Sequence, residues 1–313
     1  MRMEREGFTG HSARKRLSVQ QNGGKMAIVS VKEILEHAWG HKYGVPAINV
    51  FNYETVKWAI EAAEEERLPI IIQFYPGFAE HIALKYVADF AVDMAKKARV
   101  PVAVHLDHSP SYEIAVGGIR DGFPSVMVDG SVLPYEENVE LTRAVVRVAE
   151  VFGVDVEAEL GHVGSGSSLD DIVNEKNYTS IEDAVDFTER TGCGSLAIAV
   201  GNAHGVYIRE PRLDFDRIRA IRSAVKVPLV LHGCSDIPDD QLKESVNLGL
   251  SKFNIATEYD RAFYTAIAAR ADKTEQKGSF FRLQEYQGLC GRKAEASESQ
   301  RLCPVKVVTE YAF

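Results

Sequence analysis

The sequence predicts an α/β fold closed into an eight-stranded parallel barrel, the (β/α)8 or TIM barrel. Two observations predict it. Short apolar runs alternate with longer amphipathic ones eight times between residues 26 and 287, the rhythm of strand-helix units that build a parallel sheet. The first strand is followed by no glycine-rich dinucleotide turn, which a doubly wound open sheet would ordinarily carry.

A helix over 31–39 precedes the first strand. The strands follow at 45–50 (VPAINV), 69–74 (PIIIQF), 101–106 (PVAVHL) and 124–129 (PSVMVD). Four more follow at 154–160 (VDVEAEL), 195–200 (SLAIAV), 227–232 (VPLVLH) and 251–255 (SKFNI). Their apolar character suits strands buried on both faces. Helical periodicity fills the intervals at 54–67, 80–98, 135–152, 180–191, 213–225 and 238–249, and another helix opens near Thr257.

The chain has 313 residues, 45% of them hydrophobic, enough for a substantial core. A formal charge of −9 argues against nucleic acid as a partner, because phosphate backbones require a basic face. No run of about 18 apolar residues occurs, so no membrane span is expected. Four cysteines without paired spacing fit a reducing, cytoplasmic compartment. Residues 1–25 are polar and net basic with no apolar core, so they read as an extension or tag rather than a secretory signal. Residues 26–287 read as one barrel domain. Periodicity then fades, and 288–313 reads as an atypical, disordered tail.

In such barrels the site lies at the C-terminal ends of the strands. Those ends carry Asn49, Tyr75, Asp107 with His108, Asp129, Glu159, His204, His232 with Gly233, and Asn254 to Thr257. One polar strand end is unremarkable, but nearly every strand here delivers one to the same rim. His108, His204 and His232 come from three strands and together form a candidate zinc site with an open position. Each alone would more simply be a capping or core histidine. His105 shares the inward parity of Asp107 but lies deeper, where it packs or supports. His11, His37, His41, His81 and His162 have no defensible ligand placement.

Other rim segments carry phosphate chemistry. "HGCSD" (232–236) and "NIATE" (254–258) close strands seven and eight, the usual phosphate cradle of this architecture. Gly233 lets backbone approach an anion, Ser235 and Thr257 offer hydroxyls, and a helix starts at Thr257. After strand five, "GHVGSGSSLDDIVNEKNYTS" runs unusually long, as lids and ligand loops do. Its Asp170 and Asp171 could bring an acid or base to the site, against the simpler reading of a solvated loop. A Schiff-base mechanism needs a lysine at the C-terminal rim, and the only strand lysine, Lys252, stands at the start of strand eight.

With these residues in view, the chain resembles the class II, zinc-dependent ketose-bisphosphate aldolases over about residues 28–270. The resemblance is carried by "HLDH", "MVDGS", "VEAELGHVG", "VGNAHGVY", "VPLVLHGCSD" and "NIATEYDRAF". The last two look closest to the tagatose-bisphosphate branch. It implies that Asp107 exchanges the C4 hydroxyl proton and that His108, His204 and His232 hold zinc. It further implies that Gly205, Gly233, Cys234, Ser235, Asn254, Ile255, Ala256 and Thr257 hold dihydroxyacetone phosphate, with Asn49 near its carbonyl. Asp129 and Glu159 match a second metal position, and a monovalent cation is implied near Gly205 and Ser235.

The expected reaction is reversible cleavage of a fructose- or tagatose-type ketose 1,6-bisphosphate, with zinc stabilising the ene-diolate. The expected partners are that small phosphorylated ketose and further copies of this chain, as a dimer or tetramer. Two departures stand out. The fifth loop reads "GSGSSLDD" where relatives often carry a glutamate, and Tyr75-Pro76 replaces a small residue after strand two. A zinc hydrolase on this barrel would need a His-x-His pair ending strand one, which ends "INVFN" instead. A sugar-phosphate-binding barrel that has lost its loop acid is the non-catalytic alternative.

Overall fold

A computed structural model of the protein describes residues 28–169 and 174–275. Its strands are Val45–Val50 (β1), Ile70–Phe74 (β2), Val102–Ser109 (β3), Ser125–Val128 (β4), Asp155–Leu160 (β5), Ser195–Ile198 (β6), Leu229–Leu231 (β7) and Leu250–Ile255 (β8). They pair in chain order, all parallel, and β8 returns to β1 to close the barrel. The expected extension at 1–25 and tail at 288–313 lie outside the described residues. No helix among the described residues is long and apolar enough to cross a membrane.

Helices are Val31–His41 (α1), Tyr53–Glu66 (α2), Leu84–Lys97 (α3), Tyr112–Asp121 (α4), Tyr135–Phe152 (α5), Ile181–Thr191 (α6), Phe215–Ala224 (α7), Asp239–Leu248 (α8) and Thr257–Glu275 (α9). Capping chemistry sets several starts. Ser30 caps α1, Asn52 and Thr55 form a reciprocal capping box on α2, and Ser111 caps α4, each satisfying amides that have no partner inside the helix. The helical signal expected from residue 80 begins only at Leu84, because Pro76–Phe78 takes a short 3-10 turn first. Helix α4 is absent from the periodicity reading. Its Gly117 and Gly118 weaken helix propensity, yet a Cβ on Gly118 would strike Leu106. Glycine there lets α4 pack closely on β3.

Strand alternation separates two cores. Outward residues such as Ile48, Ile72, Val104, Leu106 and Leu231 pack against the helical shell. Inward Val45, Ala47, Ile71, Ala103, Ala197 and Val230 meet Ile34, Leu35 and Ala38 of α1, which plugs the N-terminal mouth. One step further along the strands the interior turns polar. Asn49, Gln73 and His105 lie in register across β1, β2 and β3, and all are buried. The polar end holds the site.

Candidate active site

Consecutive residues of a strand face opposite sides of the sheet, so Asp107 and His108 should not share a face. The β3–β4 ladder slips between Leu106 and Ser109, and His108 takes a left-handed φ of 35°. A bulge of this kind re-aims a side chain, and both residues line one cavity of about 460 Å³. Strand three therefore runs on to Ser109 rather than stopping at 106.

Asp107 is buried and fixed by three amides. Its Oδ2 accepts from Asn49 Nδ2 at 2.8 Å and from Gln73 Nε2 at 3.2 Å, and its Oδ1 accepts from Asn254 Nδ2 at 3.3 Å. Gln73 Nε2 also donates to Asn49 Oδ1 at 2.6 Å. Burial alone would raise this carboxyl. His108, His232 and Lys252, with the Asn49 amide, outweigh burial and hold it below the ordinary carboxylate value. An ionised, oriented carboxylate results.

Three imidazoles converge beside it, each offering a ligand atom within 4.8 Å of the others'. His108 Nδ1 donates to Asp129 Oδ2 at 2.8 Å, His204 Nδ1 to the Val163 carbonyl at 3.1 Å, and His232 Nε2 to Glu157 Oε1 at 2.9 Å. Each ring thus spends one nitrogen on an oxygen acceptor and turns the other toward the cluster, the arrangement that orients metal-binding histidines. His108 Nε2 and His232 Nδ1 lie 2.9 Å apart and pair with each other, a contact in which a bound cation could replace the shared proton. His204 Nε2 is buried with no partner. Burial lowers His204 to about 4 and His232 well below the usual histidine value, keeping both neutral. Burial also acts to lower His108, but Asp107, Asp129 and Glu159 overcome it and raise the group to about 10. The donor set and its charge fit a divalent zinc-type ion.

Asp129 and Glu159 complete a second group with His108. Burial would raise Asp129, yet the His108 and Ser131 hydrogen bonds hold it well below normal. Glu159 rises to about 8 through burial and the neighbouring Asp129, and its Oε2 accepts no hydrogen bond, with His232 Nδ1 3.9 Å away. Beneath them lies a pair that sequence reasoning missed. Lys252 Nζ donates to both Glu157 oxygens, at 2.9 and 2.8 Å, with both side chains fully buried. Lys252 therefore serves the interior under the site rather than the open rim. Period-two spacing from Glu159 was the available signal for Glu157, and from Asn254 for Lys252.

Most expected substrate contacts gather around the same cavity. Asn49, Gly205, Gly233, Ser235, Asn254, Ala256 and Thr257 line it, while Cys234 and Ile255 do not. Cys234 Sγ donates to the Leu231 carbonyl at 3.1 Å, its amide donates to the Asn254 carbonyl, and Ile255 packs in the shell core. Gly233 is required by its φ of 63° and because a Cβ would strike the Ala203 carbonyl. Thr257 is the first residue of α9 rather than a cap before it, and Ser235 Oγ accepts the Glu258 amide at 3.3 Å. The start of the fifth loop is stitched to His204 through the Gly166 amide to its carbonyl and its own amide to Gly164. Asp170 and Asp171 lie outside the described residues. His162 also lines the cavity. His37 and His41 stack at 3.9 Å on α1, at the opposite mouth.

Comparison with known proteins agrees with this geometry. A family model described as fructose-bisphosphate aldolase class-II matches residues 29–301. The uncharacterized protein YdjI of Escherichia coli (strain K12) is 42% identical over 231 residues, 74% of this chain and 83% of that protein. The X-ray crystal structure of the YdjI aldolase superposes with a TM-score of 0.74 at 36% identity, covering 91% of this chain and 94% of that one. The crystal structure of a putative fructose-1,6-biphosphate aldolase from Coccidioides immitis gives 0.72 at 27% identity, covering 90% and 93%.

Proposed function

This chain belongs to the class II fructose-bisphosphate aldolase family, and from that premise we propose that it reversibly cleaves a 1-phosphorylated ketose between C3 and C4. The products are dihydroxyacetone phosphate and an aldehyde. One observation carries the reading: three imidazoles with tethered far nitrogens converge beside a fixed, ionised Asp107.

His108, His204 and His232 would hold zinc, which when bound supplies Lewis-acid stabilisation of negative charge on the C2 oxygen. Asp107 accepts the C4 hydroxyl proton on cleavage and returns it on condensation. Asn49, Gln73 and Asn254 keep its oxygens in place for that transfer. The 1-phosphate rests against Gly233, Ser235 and the amino end of α9, where helix amides favour an anion. Asp129 and Glu159 would offer a second cation position beside His108, and a monovalent cation near Gly205 and Ser235 is part of the same reading. Asp170 or Asp171 serves as the loop acid that exchanges the proton at C3. The protein works as a homo-oligomer in a reducing cytoplasm, with neither nucleic acid nor membrane as a partner.

The test is release of dihydroxyacetone phosphate from a panel of ketose phosphates. Chelation should abolish it and zinc should restore it. Activity that survives exhaustive metal removal would overturn the metal mechanism. Stoichiometric zinc without cleavage of any ketose phosphate would leave a binding barrel instead.

A further inference from the structure

In the proposed reaction, metal and phosphate fall to different loops of the same rim. The loop after β6 carries His204 and Gly205, and the loop after β7 carries Gly233 and Ser235, all lining the same cavity. A ligand that engages both loops at once is rewarded only where their spacing matches its own length, and a misplacement of about 1 Å can cost about 10²-fold. The two loops already lie in close approach, since a Cβ on Gly233 would fall 2.0 Å from the Ala203 carbonyl oxygen. Some group must set that spacing.

Tyr207 spans the gap. Its hydroxyl donates to the Gly233 carbonyl at 2.9 Å and accepts from the Ala203 amide at 2.7 Å. A phenol hydroxyl is both donor and acceptor, so a single oxygen satisfies one backbone group on each loop. Asn202 makes a second tie nearer the sheet, from its Nδ2 to the His232 carbonyl at 3.1 Å. Val206 and Ile208 on either side of Tyr207 are exposed, whereas the Tyr207 ring packs against the shell core. The ring also borders a second cavity with Pro211, Asp236 and Pro238, so packing does not enclose it and the hydroxyl contacts fix its place. Burial raises the phenol above its ordinary value, against the opposing Ala203 amide, and the hydroxyl keeps the proton it donates. From the other side the Ile208 amide clamps this loop to the Gly166 carbonyl of the fifth loop at 3.0 Å.

We propose that Tyr207 is a positioning residue: its hydroxyl holds the His204 loop and the phosphate cradle at the separation that the dihydroxyacetone phosphate half of the substrate spans. This rests on the aldolase reading and deepens it. Tyr207 is not among the described residues lining the cavity, so it acts through Ala203, which adjoins His204, and through Gly233. Phenylalanine in its place keeps the ring and leaves a carbonyl and an amide without their shared partner. Each loop then retains its own chemistry, and only the relation between them loosens. Affinity is lost selectively for ligands that use both loops, because the gain from linked contacts depends on geometry.

Two measurements on the zinc-loaded full chain test this. The first is calorimetric binding of dihydroxyacetone phosphate and of glycerol 3-phosphate, which share length and phosphate and differ in the carbonyl offered to the metal. Tyr207→Phe should weaken dihydroxyacetone phosphate by about tenfold, the order expected when buried backbone groups lose a bridge, with glycerol 3-phosphate and zinc itself within about twofold of the unaltered protein. Equal loss for both phosphates, loss of zinc, or no loss at all would each overturn the inference. The second measurement needs no substitution and stands even where the variant does not fold. Amide hydrogen exchange in the unaltered protein should be at least about tenfold slower at Ala203 than at Val206. It should slow further with dihydroxyacetone phosphate, and more than with glycerol 3-phosphate. Exchange at Ala203 as fast as at Val206, or equal slowing by the two ligands, would overturn the inference. Failure of the unaltered protein to bind dihydroxyacetone phosphate would overturn the aldolase reading instead, while protection of Ala203 without ligand would still decide whether the bridge holds the two loops.

Discussion

The two mouths of this barrel are built by the same strands and differ completely. At the N-terminal mouth Val45, Ala47, Ile71, Ala103 and Val230 pack under α1. Two residues along, the same inward positions read Asn49, Gln73, His105 and His232, and further along β3 comes Asp107. Burying a polar group without a partner costs free energy, and this end leaves several such atoms, including His204 Nε2, Glu159 Oε2 and Asn254 Oδ1. A chain selected only for stability would continue the apolar lining. Here the apolar mouth and outer shell hold the fold, and the polar mouth is complete only with a ligand.

If this division is real, variants at the polar mouth should lose function and keep the fold. His204→Ala should show the largest effect, with metal occupancy lost and cleavage reduced to background. Thermal unfolding of the metal-free protein should shift only modestly, because the variant removes a buried Nε2 that already lacks a hydrogen bond and one Nδ1 bond to the Val163 carbonyl, worth about 0.5–1.5 kcal/mol. Metal analysis and calorimetry on the same preparation check both halves.

Lys252→Met should come next, and it falls on the border between the regions. It strands the Glu157 carboxylate in the barrel interior, and breaking a buried pair this way costs about 3–5 kcal/mol. Glu157 also holds His232 at 2.9 Å, so zinc affinity should fall together with denaturant stability. Full stability with weak zinc binding would show that the pair belongs to the site alone.

Asp107→Asn should lower kcat by at least about 10²-fold, the low end for lost general acid-base catalysis. Zinc occupancy should be retained. Rapid-quench cleavage assays read this directly, and near-normal turnover would make the "HLDH" segment a strand end with no chemistry.

Sequence reasoning found the rim because apolar runs ending on histidine or a carboxylate are conspicuous at a defined fold position. Asp107, His108, His204, His232, Asn49 and Asn254 were accessible that way. The joint orientation of Asp107 and His108 was not, since a bulge changes a face without changing composition. Gln73, Glu157 and Lys252 were hidden for another reason. A polar residue inside an apolar strand has no meaning until its partner on another strand is known, and Glu157 and Lys252 are far apart in the chain. Tyr75 was visible as a departure from relatives, but only the fold sets its ring against Phe78 and His108 at the cavity wall.

The smallest predicted effect tests the independence of the two mouths most directly. Ser30 Oγ accepts the Glu33 amide at 3.0 Å and so caps α1, and the Lys32 amide ties the same turn to Asp155 at 2.9 Å. Replacing Ser30 with Ala leaves one amide of the first turn without a side-chain partner, which costs about 1 kcal/mol. For a domain of this size that lowers Tm by about 2–4 °C. The helix it weakens covers Ala47 and Ala103, each two residues before a member of the Asn49–Gln73–His105 layer or within that strand. If the layers are mechanically separate, kcat/KM and zinc affinity at 25 °C should equal those of the unaltered protein. A drop in zinc affinity accompanying the small loss in Tm would mean that loosening α1 travels along β1 and β3 to Asn49 and His108. The apolar plug would then be part of the site's positioning, and the comparison between the two mouths would fail.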